Sequence, residues 1–213
     1  MTETTATKLT IAVLFGGRSG EHEVSLMSAR SVLSVLDPQK YNVIQVGITP
    51  DGAWLSGPDA LAAFSAHRYD GLEPVIVAPD PREKGLWALR GDRLEHLADV
   101  DVFFPVLHGT FGEDGTLQGL LELSNYAYVG AGVLGSSVGM DKGVFKDVMR
   151  ANGVPVVESV VILRSEIERD MEAALARAEQ VGAYPLFTKP ANLGSSVGIT
   201  KCRSRADLAE GLM

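Results

Sequence analysis

Leu9-Thr10-Ile11-Ala12-Val13-Leu14-Phe15, followed at once by Gly16-Gly17-Arg18-Ser19-Gly20-Glu21-His22-Glu23-Val24-Ser25-Leu26, decides the fold class. A continuous apolar run of this length reads as a strand buried on both faces. The Gly-rich turn then hands over to a helix expected across Val24–Leu36 and ended by Asp37-Pro38, because a residue before proline avoids the helical region. Asn42–Ile48 reads as the next strand. Further along, Val102–Leu107 reads as a central strand and Thr116–Leu123 as a helix. Strands alternating with helices argue for an α/β protein with a mainly parallel sheet.

Between these elements, Thr49-Pro50-Asp51-Gly52 is a turn by composition, and Ala53-Trp54-Leu55 returns as a short strand. Val75–Val77, Gly85–Leu89 and Arg93–Leu97 read as short edge or hairpin strands. Tyr126–Gly130 closes the first domain, and the Gly-rich stretch Ala131–Gly139 reads as a hinge or linker. A second region follows, with a helix over Asp141–Asn152 and a strand over Val156–Leu163. A long helix is expected from Ser165-Glu166 to about Val181, stopped by Gly182, and Ser204 caps a last helix. The expected domains are therefore residues 1–130 and 131–213.

A second stretch carries the chemistry. In Pro185-Leu186-Phe187-Thr188-Lys189-Pro190 an apolar run delivers a lysine, and Asn192-Leu193-Gly194-Ser195-Ser196-Val197-Gly198 follows. The strand aims one positive charge, while the loop offers backbone N–H groups and two hydroxyls to phosphate oxygens. The lysine precedes the glycines, so this is not a Walker A loop, and no G-x-x-x-x-G-K-[ST] occurs in the chain. The competing reading is a β-turn with Lys189 as a solvated charge. Leu134–Lys142 echoes Leu193–Lys201, but the flanks do not continue the match, which makes it coincidence, with Ser136 and Ser137 packed at a helix start.

The blocks HEVSL (22–26), LHGTFGEDGTLQG (107–119), MDK (140–142) and TKP…GSSVG (188–198) stand in the order and at about the spacing of the D-alanine–D-alanine ligase family of the ATP-grasp superfamily, which the chain resembles over nearly its whole length. The resemblance implies a Rossmann-like, pre-ATP-grasp parallel-sheet domain followed by part of an ATP-grasp fold. It implies ATP-dependent ligation of two D-alanines through an acyl phosphate, for peptidoglycan precursor synthesis. A D-alanine–D-lactate type of ligase, or a fragment that folds without turnover, stays open beside it.

The resemblance also assigns residues. Glu23, which from its place alone could simply complement the positive end of a helix, becomes the partner of the first D-alanine's ammonium. His108, at the end of a strand where ligands gather in open α/β sheets, lies near that substrate; Glu113 and Asp114 serve the turn after it. Lys142 and Lys189 contact ATP phosphates, and Phe187 lines the adenine pocket or the core. Ser195 ties the phosphate loop to Glu23 and shares the catalytic assignment with it; Ser196 is its neighbour in the ATP loop. Lys146 and Lys201 read as solvated surface lysines. Mg²⁺ is implied as well, with ligands expected in a C-terminal domain beyond this chain, which reads as truncated.

Composition narrows the rest. The 213 residues suit one large domain or two small ones, and 46% apolar residues suffice for a core. A net charge of −8 without a basic cluster speaks against a nucleic-acid surface. There is no apolar run of about 20 residues for a membrane span. Met1–Lys8 reads as a frayed polar tail, and the single Cys202 permits no internal disulfide. A cytoplasmic homodimer is the expected form.

Overall fold

The structure, a computed structural model, describes residues 8–194 and 197–213. The chain forms two compact units, residues 1–137 and 138–213.

The first unit is built on β1 (Leu9–Gly16), which is buried on both sides from Ile11 onward as the apolar run requires. It pairs in parallel with β2 (Tyr41–Ile48) on one side and with β7 (Val102–Pro105) on the other. Short β8 (Ala127–Tyr128) continues the parallel set beyond β7. On the far side of β2 the sheet turns antiparallel through β3 (Trp54–Ser56), β4 (Glu73–Ile76), β5 (Leu86–Arg90) and β6 (Arg93–Ala98). The eight strands run in the order β6-β5-β4-β3-β2-β1-β7-β8. The parallel core read from the sequence is thus extended by an antiparallel meander made from the three edge pieces and the Trp54 strand.

The alternation of β1 distributes its side chains to two cores. Ile11, Val13 and Phe15 face α1 (His22–Val35) and α2 (Ala60–Ser65), meeting Leu26, Ala29 and Phe64. Ala12 and Leu14 face the other way, toward Leu117 and Leu121 of α3 (Thr116–Leu123). Helix α2 has no counterpart in the sequence reading. It is a six-residue helix without a side-chain cap, and burial of Ala60 and Phe64 sustains it. The stretch expected to be a linker, 131–139, is instead mostly helix α4 (Val133–Met140). Its small residues allow close approach: the Ser137 hydroxyl donates to the Asp114 carbonyl at 2.9 Å. Ser136 and Ser137 therefore sit within a helix and not at its start.

The second unit begins with α5 (Lys142–Ala151), capped by the Asp141 carboxylate, which accepts from the Gly143 and Val144 N–H groups. Antiparallel β9 (Leu186–Thr188) and β10 (Thr200–Cys202) pair Phe187 with Lys201. They pack with α7 (Met171–Ala178) and α8 (Arg205–Leu212) around Leu175, Cys202 and Leu208. The Ser204 cap is as expected, accepting from the Asp207 N–H at 3.2 Å.

Two expectations fail here. Val156–Leu163 is not a strand among the described residues. The Val157 and Val161 carbonyls accept from Lys146 Nζ and Arg177 instead of from a neighbouring strand. The long helix is broken into α6 (Arg164–Arg169) and α7, followed by a 3₁₀ turn over Glu179–Val181. Asp170 makes the break: it adopts an extended backbone and its carboxylate caps α7, accepting from the Ala173 N–H at 3.0 Å. A short acidic side chain that bonds its own backbone competes with helix continuation.

Candidate functional site

In the first unit β1 leads through α1 to β2 on one side, while β7 lies on the other. The strand order changes direction between β1 and β7, and open α/β sheets take ligands outside the carboxyl ends of strands at such a point. The two turns singled out in the sequence, after β1 and after β7, meet there. Ser25 joins them: its buried hydroxyl accepts from the Gly16 N–H at 2.8 Å and donates to the Val106 carbonyl. Ser19 adds a second tie, donating to the His108 carbonyl at 2.6 Å.

Glu23 lies in the first turn of α1, exposed, with Oε1 3.9 Å from Nε2 of His67. Two exposed groups at that distance hold each other weakly. The His108 ring is held from the same helix, with Nε2 2.9 Å from the Ser28 hydroxyl. Gly109 follows at φ +72°, where a Cβ would collide with the Glu21 carboxylate; the turn therefore needs glycine. Glu113 accepts from the Gly109 N–H at 2.6 Å, and Asp114 accepts from the N–H groups of Phe111 and Thr116 and from the Thr116 hydroxyl. Both acids serve the turn, as the sequence suggested. Burial alone would raise the Asp114 carboxyl, but those hydrogen bonds outweigh it and hold it below its ordinary value.

The second unit carries the other candidates. Phe187 presents an exposed ring, with Lys201 Nζ 5.9 Å from its centre. Lys189 is exposed just past the end of β9. Lys142 turns its ammonium onto the carbonyls of Pro190, Ala191 and Leu193, and so holds the chain that enters the Gly/Ser loop. Ser195 and Ser196 lie outside the described residues. Lys146 departs from its solvated reading. It is half-buried and donates to the Val157 carbonyl at 3.1 Å. Burial, then the charges of Arg150 and Lys189, push its ammonium below the usual lysine range against the opposing pull of Glu158.

Among the described residues no group of three His, Cys, Asp or Glu is placed to hold a metal ion. No helix among them is long and apolar enough to cross a membrane. The sequence reading missed Ser19, Ser25 and Ser28, which build the switch point. Ser25 and Ser28 stand three apart and so share a face of α1, a signal available in the sequence.

Comparison with known proteins bears on the family of the chain. Residues 10–131 match the family model of the D-ala D-ala ligase N-terminus and residues 148–213 that of the C-terminus. The chain is 48% identical over 206 residues to the D-alanine–D-alanine ligase of Natranaerobius thermophilus, covering 96% of this chain and 56% of that protein. It is 49% identical over 199 residues to that of Rhodococcus erythropolis, covering 90% of this chain and 53% of the relative. The chain thus spans about half the length of the curated relatives it matches. Among solved structures, a D-Ala:D-Ser ligase from Enterococcus faecalis superposes with a TM-score of 0.82 at 37% identity, covering 97% of this chain and 59% of that one. The D-alanine–D-alanine ligase of Coxiella burnetii gives 0.80 at 38%, covering 96% and 59%.

Proposed function

The chain belongs to the D-alanine–D-alanine ligase family, and from that premise we propose that it supplies the first-substrate and nucleotide-binding residues of an ATP-dependent ligase that joins two D-alanines for peptidoglycan precursors. The observation that carries the reading is the meeting of the Glu23 helix and the His108 turn at the carboxyl ends of β1 and β7.

In this reading the Glu23 carboxylate exchanges His67 for the ammonium of the first D-alanine. Ser28 fixes the His108 ring beside it. ATP supplies the phosphoryl group that makes a carboxylate electrophilic, and catalysis rests on positioning and charge neutralisation. The second unit fits a nucleotide in part: Phe187 offers an exposed aromatic face, and Lys189 a cation at the end of β9. Lys142 would have to release its carbonyls to reach a phosphate. Ser195 and Ser196 complete the loop in the family pattern. For Mg²⁺ the described residues offer no cluster of ligands, and no step is derived through it. The second substrate is open: D-lactate is one alternative, and the likeness to a D-Ala:D-Ser ligase adds D-serine. The reading carries with it a cytoplasmic location and a homodimer. The alternative of a fragment that binds without turnover applies to the 213 residues alone.

The test is phosphate release by the longest product of the gene that carries these residues, given ATP, Mg²⁺ and D-alanine, with D-serine or D-lactate as second substrate in parallel. D-alanyl-D-alanine should form, and Glu23→Gln should raise KM for the first D-alanine while ATP affinity is kept. No phosphate release with D-alanine, or equal loss of both affinities in the variant, would overturn the reading.

A further inference from the structure

His22 opens α1, and its ring turns inward: the residue is 8% exposed, although Glu23 beside it stands in solvent. Nδ1 lies 2.8 Å from the Gly17 carbonyl oxygen. A carbonyl only accepts, so Nδ1 carries the proton and donates it. Nε2, on the other edge of the ring, is buried and has no partner among the described residues. A buried polar atom in that state costs free energy, and each one asks for a reason. Packing does not supply it. The ring lies nearly parallel to that of Phe64, with 22° between planes and 6.2 Å between centres, a contact that an apolar ring would make as well. What the imidazole adds is the bond to Gly17.

That bond closes the turn after β1. Gly17 is held through its N–H by the Ile48 carbonyl of β2, at 2.8 Å, and through its own carbonyl by His22. Gly16, at φ +84°, leaves room for the ring, since a Cβ there would come within 2.9 Å of His22 Cε1. Within the turn the Glu21 N–H donates to the Ser19 hydroxyl at 3.1 Å, and that hydroxyl is the one that donates to the His108 carbonyl. One run of contacts therefore leads from the His22 ring through the turn to His108, and Glu23 follows His22 in the same helical turn.

We propose that His22 is a positioning residue of the first-substrate site. Through Nδ1 it fixes the turn after β1, and with it the placement of Glu23 relative to the His108 turn, without touching substrate. The substrate half of the proposal rests on the ligase reading; the hold on the turn rests on the geometry.

Asparagine places its amide nitrogen where Nδ1 stands, and glutamine places it where Nε2 stands. His22→Asn should therefore keep the bond to Gly17, whereas His22→Gln and His22→Leu lose it. In the longest product of the gene, the Gln and Leu variants should raise KM for the first D-alanine about tenfold, as loss of one hydrogen bond implies. KM for ATP should stay as it was, and His22→Asn should bring the D-alanine value back to within about twofold of the parent. Native-state hydrogen exchange reads the turn without turnover. The Glu21 amide should exchange about tenfold faster in the Gln and Leu variants and not in the Asn variant, while amides of β1 keep their rates and report an intact sheet. Any of four results would overturn the proposal: a D-alanine KM unmoved by His22→Leu, an equal rise in both KM values, an Asn variant that behaves as the Leu variant does, or a Glu21 amide whose rate no variant changes. An unaltered protein that releases no phosphate with D-alanine would overturn the ligase reading and the substrate half with it, while the exchange rates still decide whether His22 holds the turn.

Discussion

Lys142 shows how one side chain can be legible in identity and illegible in role. Its place in Met140-Asp141-Lys142 marks it as a phosphate lysine by family resemblance, whereas in the structure its ammonium gathers the carbonyls of Pro190, Ala191 and Leu193. Those acceptors lie 48 or more residues away in sequence, and no local pattern announces them. A charged donor contributes about 1.5–3 kcal/mol per hydrogen bond. Water can replace it at an exposed carbonyl, so Lys142→Met should lower the stability of the second unit by about 1–2 kcal/mol in urea unfolding. An unchanged midpoint would mean that the carbonyls are equally well hydrated without it. Glu23 was easier to read, because a carboxylate in the first turn of a helix has a local reason to be there. Ser28 was harder, because its importance lies wholly in the His108 ring it holds.

Elements that draw their stability from local pattern were read closely. Thr116–Leu123 has the same ends in sequence and structure, and β1 differs by one residue. Elements that depend on a distant partner were not. Val156–Leu163 has strand composition, but its carbonyls satisfy Lys146 and Arg177. Helix α2 exists because Phe64 fills the space beside Phe15 and Tyr69, with ring centres 5.6 and 4.8 Å away. That packing is tight against β2: a Cβ on Gly47 would run into the Phe64 ring. Gly47→Ala should cost about 1–3 kcal/mol, the usual range for overpacking, and differential scanning calorimetry should show a lower Tm. A variant as stable as the parent would mean that α2 moves freely away from the sheet.

For the molecule as a whole, pH reports how the surface charges are paired. Glu73, Asp80, Asp114, Glu179 and Asp207 are all held below their ordinary values. Asp80 is lowered to about 2 by its hydrogen bonds from Arg82. A carboxyl lowered in the folded state stabilises above its unfolded value and loses that contribution as pH falls through the folded one. Tyr126 and Tyr184, raised first by burial, and Tyr128, raised by its bond to Glu122, work in the opposite window. Their contribution is complete below about pH 10 and is lost as pH rises beyond it. The urea midpoint should fall below about pH 5 as the carboxyls protonate and above about pH 10 as the tyrosines ionise, shallowly because most of these groups are exposed. A midpoint that rises from pH 5 to 3 would contradict the pairing. At this scale the sequence by itself determined the α/β class, the family, and the strand–turn–helix units around Glu23 and His108, because burial period, turn chemistry and motif order act over a few residues at a time. Only the tertiary structure decided that the sheet continues as an antiparallel meander. It also decided that Asp170 breaks a helix, that Lys142 holds a loop, and that His22 holds the turn after β1. Each of these depends on which distant groups meet, and that is settled when the chain packs.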